Sequence, residues 1–195
     1  PIYSHTETGG SAIGMEIRAQ AFAFATNDEI NNMTFYSYEI INRSTYTLTN
    51  TYFSPFSDVD LGYAKDDFVG CDVSRGLGYG YNGKNIDGSG EPEAYGSNPP
   101  AVGVDFFQGP YLDPDGIDNP KYNPSTGENC DESINGVNFE NGIIDDERFG
   151  MRRFVYHDND NTDHGDPDKA SEYYNYLRGI WKNGDKMHFG GNAFP

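Results

Sequence analysis

The side chains best suited to chemistry in this chain are aspartates, and they are concentrated in short runs. Calcium takes about six to eight hard oxygen ligands at flexible angles, which closely spaced carboxylates and loop carbonyls can supply. Without a cation, such carboxylates would repel one another. Gly62 permits the tight turn that a calcium loop needs. The densest run therefore predicts a calcium site, with solvated turn aspartates as the alternative, and its candidate ligands are Asp58, Asp60, Asp66, Asp67 and Asp72.

A second acidic run, Asp-Pro-Asp-Gly-Ile-Asp-Asn, occupies residues 113–119. Its spacing resembles the acidic calcium loops of extracellular modules, and the predicted ligands are Asp113, Asp115 and Asp118. The run lacks the downstream Glu that an EF-hand loop requires at its last position, so it is not an EF-hand. Calcium binding and a solvated loop both stay open here.

A third acidic run spans residues 157–168, where Asp158 and Asp160 alternate with polar residues between two histidines. These aspartates are predicted calcium ligands, although the Gly and Glu of an EF-hand are out of register. The histidines could recruit a transition metal, and a solvated loop leading into a helix is the alternative. The acidic turn at 145–147 is interpreted as solvated.

Sequence signatures of catalysis are absent. There is no GxSxG, no HExxH and no P-loop, and the glycine-rich string at 76–80 is not followed by a helix pattern. Two carboxylates held about 5 to 10 Å apart could hydrolyse glycosides, but so many aspartates make a chance pair expected. The chain is therefore predicted not to be an enzyme.

Aromatic rings offer a second kind of binding chemistry, since the chain has 15 Tyr and 13 Phe. Exposed rings on a β-sandwich can stack on sugar rings. The alternative, favoured for rings at strand or helix spacing, is that they fill the core. The candidate carbohydrate platforms are Tyr79, Tyr81, Tyr95 and Trp181.

The two cysteines, Cys71 and Cys130, are candidates for a disulfide. Such a bond would close a long loop and stabilise the fold by about 2–4 kcal/mol. Two free thiols are the alternative, because spacing alone does not decide. No CxxC and no Cys/His cluster occurs, so a zinc site is not predicted.

The overall charge restricts the partners. The chain has 31 Asp and Glu against 13 Lys and Arg, a formal net charge of −18. This charge argues against nucleic acid and against anionic membrane surfaces. No run of about 20 apolar residues exists, so membrane insertion is not expected. Disordered acidic chains lack aromatics, so the abundant rings favour a folded, cation-loaded domain.

Side-chain alternation with a period of two predicts the strands that must position these loops. Strands are predicted over residues 17–26, 34–42, 45–53, 77–81, 101–108 and 147–156. A hairpin turn is expected at 42–45, and most of 54–100 and 109–146 has turn chemistry. The bare face of the glycine-alternating strand is expected to lie against another backbone.

An apolar stripe predicts a helix over residues 168–182, capped by Asp166 and stopped by Gly184. The pattern predicts one mainly β domain over residues 1–195, an antiparallel β-sandwich with long ordered acidic loops and one short C-terminal helix. Loops of this length adopt many conformations unless something restrains them, and calcium or a disulfide could provide that restraint.

Four segments carry a resemblance to a known family. They are AFAFATNDEINNMTFYSYEIINRS at 21–44, SDVDLGYAKDDFVGCDVSRGLGYGYNG at 57–83, YGSNPPAVGVDFFQGP at 95–110 and EYYNYLRGIWKNGDKMHFGGN at 172–192. Together they resemble a recurring segment of large surface or secreted proteins exported by the type IX secretion system, a family of uncharacterised function. The resemblance implies a secreted or cell-surface location and an all-β architecture. It brings no active site.

The chain begins at Pro1 and stops where similar proteins continue, so it is interpreted as a fragment of a longer secreted protein. The rest of its precursor, or another surface protein, could add a strand to an open sheet edge. The leading hypothesis is a calcium-stabilised structural or adhesion module of a bacterial surface protein. The alternatives are a carbohydrate-binding module and an accessory domain of a secreted hydrolase.

Overall fold

The computed structural model describes residues 6–123, 125, 128–129 and 136–188, and every strand pairing in these residues is antiparallel. The strands are β1 (Met15–Ala23), β2 (Thr34–Asn42), β3 (Asp67–Asp72), β4 (Leu77–Asn82), β5 (Ile86–Asp87), β6 (Gly96–Ser97), β7 (Ala101–Asp105), β8 (Tyr122–Asn123) and β9 (Glu128–Asn129). One short helix, α1 (Ala170–Leu177), follows them. The predicted mainly β, antiparallel class with a short C-terminal helix is confirmed, and the open sheets are consistent with a sandwich.

Strands β1 and β2 form a two-stranded hairpin, paired from Met15 opposite Asn42 to Ala23 opposite Thr34. The two strands are joined through a 3-10 turn at Glu29–Asn32, whose first residues are capped by the side chain of Asp28. The predicted strands 17–26 and 34–42 are confirmed. The first begins two residues and ends three residues earlier than predicted. Most residues on both faces of this hairpin are exposed.

The predicted strand over 45–53 and the hairpin turn at 42–45 are wrong. Where β2 ends, a side chain instead of a neighbouring strand bonds to the backbone groups. Oδ1 of Asn42 accepts from the Ser44 amide (2.9 Å), and Nδ2 of Asn42 donates to the Tyr46 carbonyl (2.9 Å). Such local bonds compete with a strand ladder. The threonine-rich segment that follows therefore alternates in sequence without pairing.

In the three-stranded sheet β3–β4–β7, only β3 is a strand that was not predicted, because it lies in the stretch 54–100 that was expected to be mostly loop. Its central strand β4 confirms the predicted strand at 77–81, and β7 confirms the first part of 101–108. The bare face of β4 is covered by side chains rather than by another backbone. A Cβ at Gly78 would lie 3.2 Å from the Phe154 ring, and one at Gly80 would lie 3.6 Å from Val59 and Val102.

The predicted strand over 147–156 is also wrong. Only Arg148 forms bridges there, one to Tyr111 and one to Val137. The Arg148 guanidinium lies 3.7 Å from the centre of the Tyr111 ring and donates to the Gly109 carbonyl at 3.1 Å. Isolated bridges and side-chain contacts such as these take the place of a strand ladder in this segment.

Helix α1 is shorter than predicted and has different ends. Its cap is Lys169, not Asp166, because the carboxylate of Glu172 accepts from the amides of Asp168 (2.8 Å) and Lys169 (3.2 Å). The chain leaves the helix at Gly179, whose φ is +71°, before the predicted stop at Gly184. Within the described residues, no helix combines the length and apolar character that crossing a bilayer requires.

The apolar core of the described residues is small. The fully buried apolar side chains are Leu61, Phe139, Tyr176 and Met187. Two acidic side chains, Asp87 and Glu147, are as deeply buried as these, each 1% exposed. Polar junctions between loops therefore hold much of the structure together, and these two carboxylates mark them.

Candidate functional site

Asp87, on the short strand β5, is the centre of the first polar junction. Its carboxylate accepts the amide of Tyr63 (3.1 Å to Oδ1), the amide of Tyr95 (2.6 Å to Oδ2) and Nδ2 of Asn82 (3.2 Å). These donors come from three separate stretches of chain. One carboxylate thus joins the turn at 61–63, the end of β4 and the segment before β6.

Gly62 makes this arrangement possible. Its φ is +73°, a left-handed conformation that favours glycine, and a Cβ at this position would overlap Oδ2 of Asp87. The tight turn expected at Gly62 is therefore present. Its second role, the close approach of backbone to a buried carboxylate, is a feature that the sequence alone does not reveal.

Asp66 and Asp67 lie beside Asp87. Oδ1 of Asp66 accepts from Asn82 (3.1 Å) and Oδ2 accepts from the Gly88 amide (3.3 Å). We call Asp66, Asp67, Asn82 and Asp87, with the turn at 61–63, the Asp87 junction. It links three carboxylates, one from the 3-10 turn before β3, one from β3 itself and one from β5, which belongs to a different sheet.

Asp67 is the least satisfied group of the Asp87 junction. Its Oδ2 accepts from the Leu61 amide (3.0 Å), whereas its Oδ1 is buried and has no hydrogen-bond partner. Burial raises the pKa of Asp67, and the hydrogen bond from Leu61 offsets part of this rise. The carboxylates of Asp87, Asp66 and Asp60 raise the pKa further. This site disfavours a negative charge on Asp67 unless a cation accompanies it.

Only some of the ligands predicted in the first acidic run therefore lie together in the structure. Asp66 and Asp67 lie together, and Asp60 is near enough to influence Asp67. Asp72 lies at the other end of β3, where it accepts from the Ser74 hydroxyl (2.6 Å) and pairs with Arg75 (2.9 Å). The hydroxyl of Ser74 lowers the pKa of Asp72. In the described part of the chain, no hydrogen bond or ion pair joins Asp58 to the junction.

The second predicted run, residues 113–119, packs against the segment 137–148. Asp115 caps its own loop through the Ile117 amide (2.9 Å), and Asp118 accepts from the amides of Asn141 (3.3 Å) and Gly142 (2.7 Å). Asp113 lines an open pocket beside Tyr111 and Asp145. The three predicted ligands thus face different parts of the loop.

Glu147 is the buried group of this second junction, and sequence reasoning missed it. The turn at 145–147 was predicted to be solvated, which is wrong for Glu147 because it is 1% exposed. Its Oε1 accepts from the Asn119 amide, but its Oε2 is buried without a partner, as is Oδ1 of Asn119. We call Asp118, Asn119, Asn141, Gly142 and Glu147 the Glu147 junction.

The third predicted run closes on itself. Oδ1 of Asp160 accepts from the amide (2.8 Å) and hydroxyl (2.7 Å) of Thr162, and this hydroxyl lowers the pKa of Asp160. Asp158 donates its amide to the His164 carbonyl (3.1 Å). The two histidines lie in an aromatic cluster. His157 is stacked between Phe56 and Tyr176, with ring centroids 5.9 and 5.2 Å apart.

The predicted carbohydrate platforms lie in different surroundings. Trp181 belongs to the aromatic cluster, with its ring centroid 4.3 Å from that of His164. Tyr79, Tyr81 and Tyr95 are exposed, by 39%, 41% and 58%. Tyr79 and Tyr81 are neighbours on one face of β4, with centroids 5.9 Å apart.

Cys71 lies half-buried on β3, and burial raises the pKa of its thiol. Cys130 lies outside the described residues, so the disulfide stays a prediction. In the part of the chain that the structure describes, no three His, Cys, Asp or Glu side chains converge in a way that could hold a metal ion. Any cation in either junction would therefore need amide, carbonyl or water oxygens beside the carboxylates. No family model matches the chain, and no curated protein or solved structure matches it either.

Proposed function

We propose that this chain is a calcium-stabilised structural or adhesion module of a secreted or cell-surface bacterial protein. The observation that carries the proposal is Oδ1 of Asp67, which is buried, has no donor, and lies among other carboxylates. The resemblance of four segments to surface proteins of type IX secretion supports the compartment. The net charge of −18 supports a requirement for cations.

Calcium suits the Asp87 junction better than a proton or a water molecule does. A hard divalent cation would satisfy Oδ1 of Asp67 and reduce the repulsion among Asp60, Asp66, Asp67 and Asp87 in one step. Calcium also accepts main-chain carbonyls and waters as ligands at irregular angles, so it does not need three converging carboxylates. A loop junction held in this way would stay ordered with little apolar core beneath it.

Calcium binding to the purified chain tests the proposal. We expect isothermal titration of chelator-treated protein to detect calcium binding that the Asp67→Asn variant weakens by about tenfold or more. Magnesium should compete poorly, because it demands regular octahedral geometry. The matched control is Asp72→Asn, which removes the same charge from the same strand outside the junction and should bind like the wild-type protein. Equal affinities of wild type and Asp67→Asn would contradict the proposal.

The open edges of the β1–β2 hairpin support a role in association. Within the described part of the chain these two strands have no further neighbours, so backbone groups on both outer edges are unpaired, and such edges accept an added strand. The rest of the precursor, or another surface protein, is the partner that we propose. The exposed rings of Tyr36 and Tyr38 on β2 would add apolar contact to the backbone pairing.

A carbohydrate-binding module is the second candidate, favoured by one row of exposed rings. Phe68, Tyr79 and Tyr81 lie on one face of the three-stranded sheet, and Tyr81 is 6.1 Å from Phe68 and 5.9 Å from Tyr79 between ring centroids. We expect a glycan array to show binding that Tyr81→Ala abolishes and that Tyr46→Ala, which removes an exposed ring elsewhere, leaves intact. An array without signal for the wild-type protein would exclude this candidate.

A further inference from the structure

We propose that the Glu147 junction is a second calcium site, in which Oε2 of Glu147 and Oδ1 of Asn119 are the first protein ligands. The inference deepens the proposed function, since it adds an ion to the same module. It rests on different atoms, however, because no residue of the Glu147 junction belongs to the Asp87 junction. Asn119 ends the second acidic run, but neither Asn119 nor Glu147 is among the ligands predicted from the sequence, which are Asp113, Asp115 and Asp118.

The burial of Glu147 is the first support. Its side chain is 1% exposed, yet only Oε1 has a donor, the amide of Asn119. A buried carboxylate oxygen without a donor is costly, and native structures normally provide a partner for it. The described residues provide no such partner for Oε2, and a bound cation would supply it.

The Asn119 side chain supports a cation as the missing partner. Its Oδ1 is also buried without a hydrogen-bond partner, and it belongs to the residue whose amide already contacts Glu147. Carboxylate and amide oxygens are both hydrogen-bond acceptors, so these two oxygens cannot satisfy each other. A hard divalent cation accepts both at once, and carboxylate and amide oxygens are ligands that calcium prefers.

The neighbouring arginine does not supply this charge. Arg148 follows Glu147 directly, but its guanidinium lies over the Tyr111 ring (3.7 Å) and donates to the Gly109 carbonyl (3.1 Å). The side chain of Arg148 thus fixes the segment on which Glu147 sits. Its two described contacts involve neither unpartnered oxygen.

The surrounding loops hold the two oxygens in place. Asp118 accepts the amides of Asn141 (3.3 Å) and Gly142 (2.7 Å), and the Glu140 amide donates to the Asn119 carbonyl (3.1 Å). These bonds tie the loop 113–119 to the segment 137–148 at Asp118 and at Asn119 itself. A calcium ion bound by Asn119 and Glu147 would complete the connection between the two segments.

Counting calcium ions per chain by equilibrium dialysis tests the inference. We expect Glu147→Gln to bind about one calcium ion fewer than the wild-type protein. The variant should still fold, because glutamine keeps the shape and brings an N–H donor into the junction. The control is Glu140→Gln, an exposed glutamate of the same segment, which should keep the wild-type number. An unchanged number in Glu147→Gln would overturn the inference.

A gain-of-function variant provides an independent readout. Asn119→Asp exchanges a neutral ligand for a carboxylate of nearly equal size, so we expect about tenfold tighter calcium binding at this site. Unchanged or weaker binding would overturn the inference. The two proposals can be distinguished. If only Asp67→Asn loses bound calcium, the proposed function holds and the second site is wrong; if only Glu147→Gln loses bound calcium, the second site holds and Asp67 is not a ligand. If the wild-type protein binds no calcium, both proposals are wrong.

Discussion

In calcium-free buffer at pH 7, Asp67→Asn should melt at a higher temperature than the wild-type protein, and saturating calcium should reverse this order. Burial and neighbouring carboxylates raise the pKa of Asp67 in the folded state. A raised folded pKa gives stability that is present below the unfolded value of about 3.9 and is lost as the pH rises through the folded value. At neutral pH the carboxylate therefore weakens the calcium-free fold, and asparagine removes this penalty.

Calcium should restore the advantage of the wild-type protein. A ligand at about a hundred times its dissociation constant adds about 2.7 kcal/mol to the stability of the folded state, and a variant without the site gains less. For a domain of this size, about 1 kcal/mol corresponds to about 2–4 °C in melting temperature. Scanning calorimetry with chelator and with calcium measures both orders directly.

The control for this reversal of the melting-temperature order is Asp72→Asn. It removes an exposed ion pair with Arg75, so it should lower the melting temperature slightly and by the same amount in both buffers. The interpretation of the Asp87 junction would be wrong if Asp67→Asn melted below the wild-type protein in chelator, or if calcium shifted both proteins equally.

The second large effect is expected for Asp87→Ala. This substitution removes the acceptor of the Tyr63 amide, the Tyr95 amide and Asn82 Nδ2 in a position that is 1% exposed. Each buried donor left without a partner costs about 1–3 kcal/mol, so a loss of about 3 kcal/mol or more is expected. Whole domains are stable by only about 5–15 kcal/mol. Urea unfolding of both proteins in chelator measures the difference in the free energy of unfolding.

Asp105→Ala is the matched control for Asp87→Ala. Asp105 ends β7 and is exposed, so its replacement should change the free energy of unfolding by about 0.5 kcal/mol or less. Asp87→Asn should fall between the two, because it keeps one acceptor oxygen and turns the other into a donor. A loss in Asp87→Ala no larger than in Asp105→Ala would mean that the three hydrogen bonds do not hold the loops together.

The strands that the sequence predicts correctly are those whose alternation coincides with a partner nearby. Residues 34–42 pair with β1 along nine positions, and residues 77–81 lie between two strands. Residues 45–53 alternate just as regularly but have no ladder. Alternation shows which side chains share a face, whereas pairing depends on long-range contacts. After Asn42, hydrogen bonds from its side chain to nearby backbone groups take the place of strand pairing.

The candidate sites were predictable only where their members are neighbours in sequence. Asp66 and Asp67 are adjacent, so composition alone marks them. Asp87 joins them from about 20 residues away, and its only signal is the turn-forming Gly88 that follows it. Glu147 differs from Asp145 and Asp146 by being buried, and burial is a property of the tertiary structure that an acidic run does not encode.

The small apolar core has a consequence for the temperature dependence of this protein. Heat capacity of unfolding rises with newly hydrated apolar surface and falls with newly hydrated polar surface. Few fully buried apolar side chains, and loops tied by carboxylates and amides, therefore give a small heat-capacity change within the described residues. The stability curve of such a protein is broad and shallow, so cooling should weaken it less than it weakens a domain built on a large hydrophobic interior.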